Sequence, residues 1–236
     1  MYKNNKIIII IPALNEEGKI GNTVKKAKEK CDWVDEILVI NDGSTDRTKE
    51  EAEHNGANVI SFEENRGLGV AFKTAFKHAQ DENYDIGIIM AGDDQDDPDR
   101  LNDLIETIVD RGYDIVHGSR YLGGLREKVP WFRRITTKMF SWLFSAVAMR
   151  NVTDASTGFK AFKVEILRHI DFSPKWLEDR YGIETYFSIM AIKKGYKFTE
   201  VPVRKFYHET GYSKMRFGID YWYNVKPILK CIFIKK

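Results

Sequence analysis

The sequence predicts an α/β fold built on a mostly parallel, doubly wound sheet, and three observations carry this. Short β-branched runs alternate with helical segments through the first half of the chain. The first run, Ile7–Ile11, is isoleucine throughout, which suits a strand buried on both faces of a parallel sheet. The 236 residues are 43% hydrophobic, enough for the core of one large α/β domain.

The elements follow in order. After Ile7–Ile11, residues 15–30 read as a helix with Ile20, Val24, Ala27 and Cys31 on one face. Residues 36–40 form the second strand, 46–55 the second helix and 59–62 a short third strand. Residues 68–79 are helical and 85–90 extended. Residues 98–110 give the clearest helix. Pro98 stands at its start, and Leu101, Leu104, Ile105, Ile108 and Val109 keep one apolar face. Ile115 and Val116 open a fifth strand. In such sheets ligands bind beyond the carboxyl ends of the strands. The polar segments there are 12–17, 41–46, 92–97 and 118–121.

The second half is less regular. Residues 139–149 are apolar nearly all round, and two readings stay open, a buried core helix or one lying in a membrane interface beside Arg133, Arg134 and Lys138. The tail from Phe217 mixes aromatic and aliphatic residues with lysines, again interfacial or core-closing, and Pro227 argues against one straight helix.

Charge excludes some functions. Lys and Arg number 37, Asp and Glu 35, and a net charge of +2 gives no reason to expect nucleic acid as a partner. The distribution says more. Carboxylates crowd residues 93–99, while cations crowd 120–138 and 193–236. The two cysteines are far apart, which fits a reduced cytoplasmic setting. The N-terminal apolar run is too short for a signal peptide, and no stretch of about 20 apolar residues offers a membrane span. No Gly-x-Gly-x-x-Gly follows the first strand, so a nucleotide-dependent dehydrogenase is not expected.

Two segments carry chemistry. In Asn41-Asp42-Gly43-Ser44-Thr45-Asp46, Gly43 permits a sharp turn and Ser44 or Asp46 can cap the next helix. Asp42 can accept hydrogen bonds from a base or ribose, or belong to an ordinary capped turn. In Gly92-Asp93-Asp94-Gln95-Asp96-Asp97, four carboxylates fall within five positions. Their repulsion suggests a bound cation, and hard oxygen ligands suit Mg²⁺ or Mn²⁺ bridging to a diphosphate. Asp93 and Gln95 are the metal-side candidates. Asp96, Asp97 and Asp99 are expected only to complement the dipole of the helix that follows.

The order of motifs resembles glycosyltransferase family 2, and within it the dolichyl-phosphate mannose synthase branch. The motifs are Pro12-Ala13-Leu14-Asn15-Glu16, Asn41 to Ser44, Asn65-Arg66-Gly67, Ala91 to Gln95, Gly118 to Tyr121, Asp154 to Phe162 and Gly211 to Lys214. The resemblance implies a GT-A fold in one domain, with a nucleotide-sugar half at 1–121 and an acceptor half at 122–236. It implies an inverting transfer from a GDP- or UDP-linked sugar to a polyprenyl phosphate, with Mg²⁺ or Mn²⁺ as cofactor. By position, Pro12, Glu16 and Asp42 would line the nucleoside pocket, with Gly92 beside the donor. Asp93 and Gln95 would hold the metal, while Arg120, Arg133, Thr137 and Lys214 would handle phosphates.

Departures from the pattern matter. Ala91 stands where the first metal-binding Asp is usual, so Asp94 is expected to complete the site. Leu14 replaces an aromatic, Asn41 an Asp, and His208 an Arg among the donor contacts. Glu184 falls in the family's Glu-Asp motif, but Thr185 follows it. Threonine cannot act as base toward an alcohol, whereas a phosphate acceptor needs none, and Glu178, Asp179 or Glu184 itself stays open as the base for a hydroxyl acceptor. Peripheral attachment at the cytoplasmic face of a membrane, directly or through an anchoring partner protein, is expected. The alternatives are a transferase acting on a glycan or glycolipid hydroxyl, and a non-catalytic nucleotide-sugar-binding subunit.

Overall fold

The computed structural model describes residues 1–122, 131–178, 181–206 and 219–234, with the backbone alone at 131–133 and 219–221. The strands are β1 (Ile7–Ala13), β2 (Glu36–Asn41), β3 (Asn58–Ser61), β4 (Ile86–Ile89), β5 (Ile115–Ser119), β6 (Lys160–Lys163) and β7 (Phe198–Pro202). The helices are α1 (Ile20–Lys30), α2 (Thr48–His54), α3 (Leu68–Asp81), α4 (Leu101–Val109), α5 (Trp131–Ala148), α6 (Ile183–Lys193) and α7 (Ile219–Phe233).

The strands form one sheet in the order β3-β2-β1-β4-β6-β5-β7. Pairing is parallel except at β6, which runs antiparallel to both β4 and β5. The isoleucines of β1 are fully buried and divide by parity between two cores. Ile8 and Ile10 face α3, α5 and α6, while Ile7, Ile9 and Ile11 face α1 and α4. This is the period of two expected of a strand covered on both faces.

Chain order reverses between β1 and β4, opening a crevice at their carboxyl ends, where ligands bind in open α/β sheets. The β1–β4 pairing ends at Ile10↔Ile89. The Ile10 carbonyl accepts the Met90 N–H, so Pro12, two residues on, turns its missing N–H toward the crevice and breaks no ladder bond.

Three sequence-based expectations are corrected. Helix α1 starts at Ile20 rather than Asn15, because Asn15 (φ 51°) and Gly18 (φ 79°) are left-handed and break the helical path. Pro227 lies inside α7, not at a break. Its lost N–H would have bonded the Tyr223 carbonyl, and that oxygen faces Gly182, where an added Cβ would come within 2.8 Å of it and 2.4 Å of Pro227 Cγ. Helix α5 is neither wholly core nor wholly surface. Phe144 and Ala148 are buried, while Met139 and Trp142 are 66% and 74% exposed.

Candidate active site

Two loops clasp each other on one side of the crevice. The Asn15 N–H donates to Ser44 Oγ at 2.9 Å, and Asn15 Oδ1 accepts the Thr45 N–H at 3.0 Å. The Glu16 N–H bonds Thr48 Oγ1 at 2.8 Å, and the Glu17 N–H bonds Asp46 Oδ2 at 3.1 Å. Ser44 thus serves the neighbouring loop, while Asp46 serves the start of α2, its Oδ1 accepting the Thr48 N–H at 3.0 Å. Gly43 (φ 71°) makes the turn, where a Cβ would fall 2.3 Å from the Glu64 carbonyl carbon.

Asp42 is buried, and its carboxylate accepts the N–H groups of Arg66 (2.7 Å) and Gly67 (3.0 and 3.2 Å). It holds the 65–67 loop against the end of β2. Pro12 and the mostly buried Glu16 border the same crevice, and the Lys19 ammonium lies 3.4 Å from Glu16.

The acidic loop after β4 divides its carboxylates among distinct tasks. Asp94 takes a left-handed conformation (φ 57°) and turns to Lys26, whose ammonium donates to both of its oxygens at 2.8 and 2.9 Å. Its N–H bonds Thr23 Oγ1. Asp97 caps the 3₁₀ turn at Pro98 by accepting the Asp99 N–H, and Asp99 pairs with Lys30 at 2.7 Å. Asp96 does more than complement a dipole. It is buried, accepts the Ala91 N–H at 2.8 Å and lies 3.5 Å from the Lys205 ammonium. Gly92 brings the loop against Ala13 and Ile20, where a Cβ would meet Ile20 at 3.2 Å.

Asp93 differs from these neighbours. Its Oδ1 accepts a long bond from the Gln95 N–H at 3.2 Å. Burial raises its pKa above the usual value, Lys205 opposes that rise, and Asp96 and Glu16 add to it. A cation at such a group offsets both burial and repulsion. Among the described residues no three His, Cys, Asp or Glu side chains converge as a ligand set. The donors present, Asp93 and the half-buried Gln95, fit a hard divalent ion that takes its remaining ligands from phosphate and water.

The opposite wall carries cations. Arg120 grips Asp154 with both ends of its fork, Nε to Oδ2 at 2.7 Å and Nη2 to Oδ1 at 2.9 Å, and Nη2 also reaches Ser156 Oγ at 2.7 Å. Glu200 on β7 accepts the N–H groups of Thr153 and Asp154, fixing this turn from beneath. A small polar cleft separates the turn from the acidic loop, with Asp96, Arg120, Ser156, Thr157, Arg204 and Lys205 on its walls. Below it, fully buried Lys160 lies 3.6 Å from Glu184 on α6, whose enclosed Oε1 makes no hydrogen bond. Burial pushes the Glu184 carboxyl up and Lys160 pulls it down. Thr185 is buried, and Glu178 pairs with Lys73 at 2.9 Å.

Arg133 and Thr137 stand four residues apart along α5, and Thr137 is buried. His208, Asp179 and Lys214 lie outside the described residues. Sequence reasoning passed over Lys160, Glu200 and Lys205. Lys160 and Glu200 stand in strands that were not expected, and Lys205 was one cation in a basic stretch.

The family profile described as glycosyl transferase family 2 matches residues 8–171. The chain is 30% identical over 224 residues to the undecaprenyl-phosphate mannosyltransferase of Micrococcus luteus, covering 91% of this chain and 89% of that protein. It is 29% identical over 217 residues to the polyprenol monophosphomannose synthase of Mycolicibacterium smegmatis, covering 89% and 81%. Among solved structures, the glucosyl-3-phosphoglycerate synthase of Mycobacterium tuberculosis, in complex with Mn²⁺, UDP and phosphoglyceric acid, superposes with a TM-score of 0.76. That match covers 99% of this chain and 80% of that one at 22% identity, and it shows the shared GT-A fold. With the switch-point crevice, the acidic loop and the profile match in agreement, this chain belongs to glycosyl transferase family 2 and is a glycosyltransferase.

Proposed function

We propose that this enzyme moves a sugar from a nucleoside diphosphate to a polyprenyl phosphate, with inversion at the anomeric carbon. The observation that carries the acceptor is the wall below the cleft. Glu184 lies 3.6 Å from the Lys160 ammonium, and the residue after it is buried Thr185 rather than a second carboxylate, which supports an acceptor that is already anionic. The two bacterial relatives, named for polyprenol and undecaprenyl phosphate, support the same class.

Residues 1–121 supply the donor half. Pro12 and Glu16 border the nucleoside, while Asp42 sets the Asn65–Gly67 loop that closes its pocket. Asp93 and Gln95 would hold Mg²⁺ or Mn²⁺, which when bound neutralises charge on the diphosphate. Residues 122–236 supply the acceptor half. An acceptor phosphate oxygen forms the bond to the anomeric carbon as the bond to the diphosphate oxygen breaks. The phosphate is already anionic, so no proton need be removed. The protein's contribution is alignment and electrostatic stabilisation of the departing diphosphate. Arg120, fixed by Asp154, lines the path, and Arg133, Thr137 and Lys214 are assigned to the acceptor phosphate.

The lipid chain is reached from the membrane surface at its cytoplasmic face. The exposed Ile135, Met139 and Trp142 on α5, and Trp222, Ile232 and Phe233 on α7, support this reading. Exposed Arg134, Lys138 and Lys230 lie beside them and suit anionic headgroups. Among the described residues no helix is long and apolar enough to cross a membrane, so attachment is peripheral or through a partner protein. The test is a screen of GDP- and UDP-linked sugars with a polyprenyl phosphate and Mn²⁺. Transfer to the phosphate is expected. A free polyprenol or sugar hydroxyl serving better would replace this acceptor.

A further inference from the structure

Lys205 joins two parts of the site that lie far apart in sequence. The segment after β7 runs along the acidic loop. The Val203 N–H bonds the Ser119 carbonyl, and the Phe206 N–H bonds the Gln95 carbonyl at 2.7 Å. Asp96 and Lys205 face each other across an isolated antiparallel bridge. Backbone bonds on both sides therefore fix where the Lys205 side chain starts. Its ammonium ends 3.5 Å from Asp96, with the side chain 21% exposed, on the wall of the polar cleft.

The bridge to Asp96 and the Phe206–Gln95 bond put this ammonium beside the loop that carries Asp93 and Gln95. In that loop residue 91 is alanine, and Asp94 is bonded to Lys26. An ammonium placed there has two consequences. It competes with a divalent ion for Asp93 by repulsion. It also offers a fixed positive charge, with three N–H donors, to any phosphate entering the cleft.

We propose that Lys205 is a donor-binding residue whose ammonium contacts the diphosphate of the nucleotide, sharing its neutralisation with the divalent cation so that the nucleotide binds even without metal. This rests on the donor reading above and deepens it. Asp96 is the resident partner that positions the ammonium between ligand events. The diphosphate displaces that contact in part and draws the ammonium further into the cleft.

The test is calorimetric titration of the full chain with UDP and with GDP, in EDTA and in Mn²⁺. In EDTA the wild type binds one of the two nucleotides. Lys205→Met weakens that binding about 10-fold, the scale of one lost charge-assisted hydrogen bond, and Lys205→Arg keeps most of it. Mn²⁺ strengthens nucleotide binding more in Lys205→Met than in the wild type, because the competing cation is gone. Asp96→Asn removes a carboxylate that competes with the diphosphate for the ammonium and strengthens binding in EDTA, a sign that structural damage does not produce. In the Lys205→Met background that gain disappears. Unchanged metal-free affinity in a folded Lys205→Met, as judged by circular dichroism, overturns the proposal. So does an Asp96→Asn gain that persists without Lys205, or a wild type that binds nucleotide only with Mn²⁺. If Lys205→Met does not fold, weaker metal-free binding by Asp96→Asn overturns it alone. A wild type that binds neither nucleotide under any condition refutes the donor reading itself.

Discussion

Asp42 and Asp93 stand at matching places in the fold, each just beyond a buried strand at the crevice, yet their surroundings differ. Asp42 receives the backbone N–H groups of Arg66 and Gly67. Asp93 receives one long bond from its own loop, and burial raises its pKa. The first carboxylate is spent on building the pocket, and the second is held in a setting that favours a cation. Local sequence presents both as an Asp in a Gly-containing loop. The tertiary partners separate them.

Mutation sharpens that difference. Asp93→Asn is expected to lower transfer by on the order of 10²–10³-fold, as for loss of a main electrostatic contact in a transition state. The fold should not suffer. A carboxyl whose folded pKa is raised contributes stability below its unfolded pKa, and that contribution is lost as pH rises through the folded pKa. At neutral pH the charged Asp93 is therefore a burden, and the Asn variant should melt at or above the wild-type temperature. A clear drop in melting temperature breaks the contrast, because Asp93 would then be structural as well.

Gly43→Ala tests the other loop. The positive φ and the 2.3 Å approach to the Glu64 carbonyl carbon leave no room for a methyl group. Strain of this kind costs roughly 3 kcal/mol or more, read as a lower urea midpoint. Asp42→Asn should cost less, about 1–2 kcal/mol, since an amide oxygen can still accept one N–H without the charge. Its effect on transfer should be a raised KM for the donor with kcat largely kept. If kcat falls as far as in Asp93→Asn, the two carboxylates share one role.

The same contrast shows what the sequence made legible. The runs around Ile7–Ile11 and Glu36–Ile40, the helix beginning near Pro98 and the crevice between them were readable, because period and turn chemistry are local. Strand β6 was not, since Lys160–Lys163 reads Lys-Ala-Phe-Lys and its antiparallel place between β4 and β5 depends on partners far away in sequence. The family resemblance offers Asp94 to the metal in place of Ala91, but its left-handed backbone and Lys26 direct it elsewhere. Arg120 reads from sequence as a phosphate ligand, whereas its fork lies on Asp154, which the turn at Thr153–Ser156 brings round. Lys205 carries no local signal, since its setting is made by the bridge to Asp96.

The smallest expected effect concerns a carboxylate that a hydroxyl acceptor could use as base. Glu178 is an exposed carboxylate paired with Lys73 at 2.9 Å, and that pairing lowers its pKa. A general base works best with a pKa near the operating pH. A carboxyl held below its ordinary value in solvent is poorly suited to that role. Glu178→Gln should therefore leave kcat with polyprenyl phosphate close to wild type, and the pH profile should keep its shape. With an acceptor phosphate whose second pKa is near 6, the rate should climb as that group ionises and then level off. A Glu178→Gln enzyme that loses turnover while retaining its fold and its donor affinity would make Glu178 a base. The acceptor would then be a hydroxyl, and the contrast between a donor side that concentrates carboxylates and an acceptor side that needs none would fail.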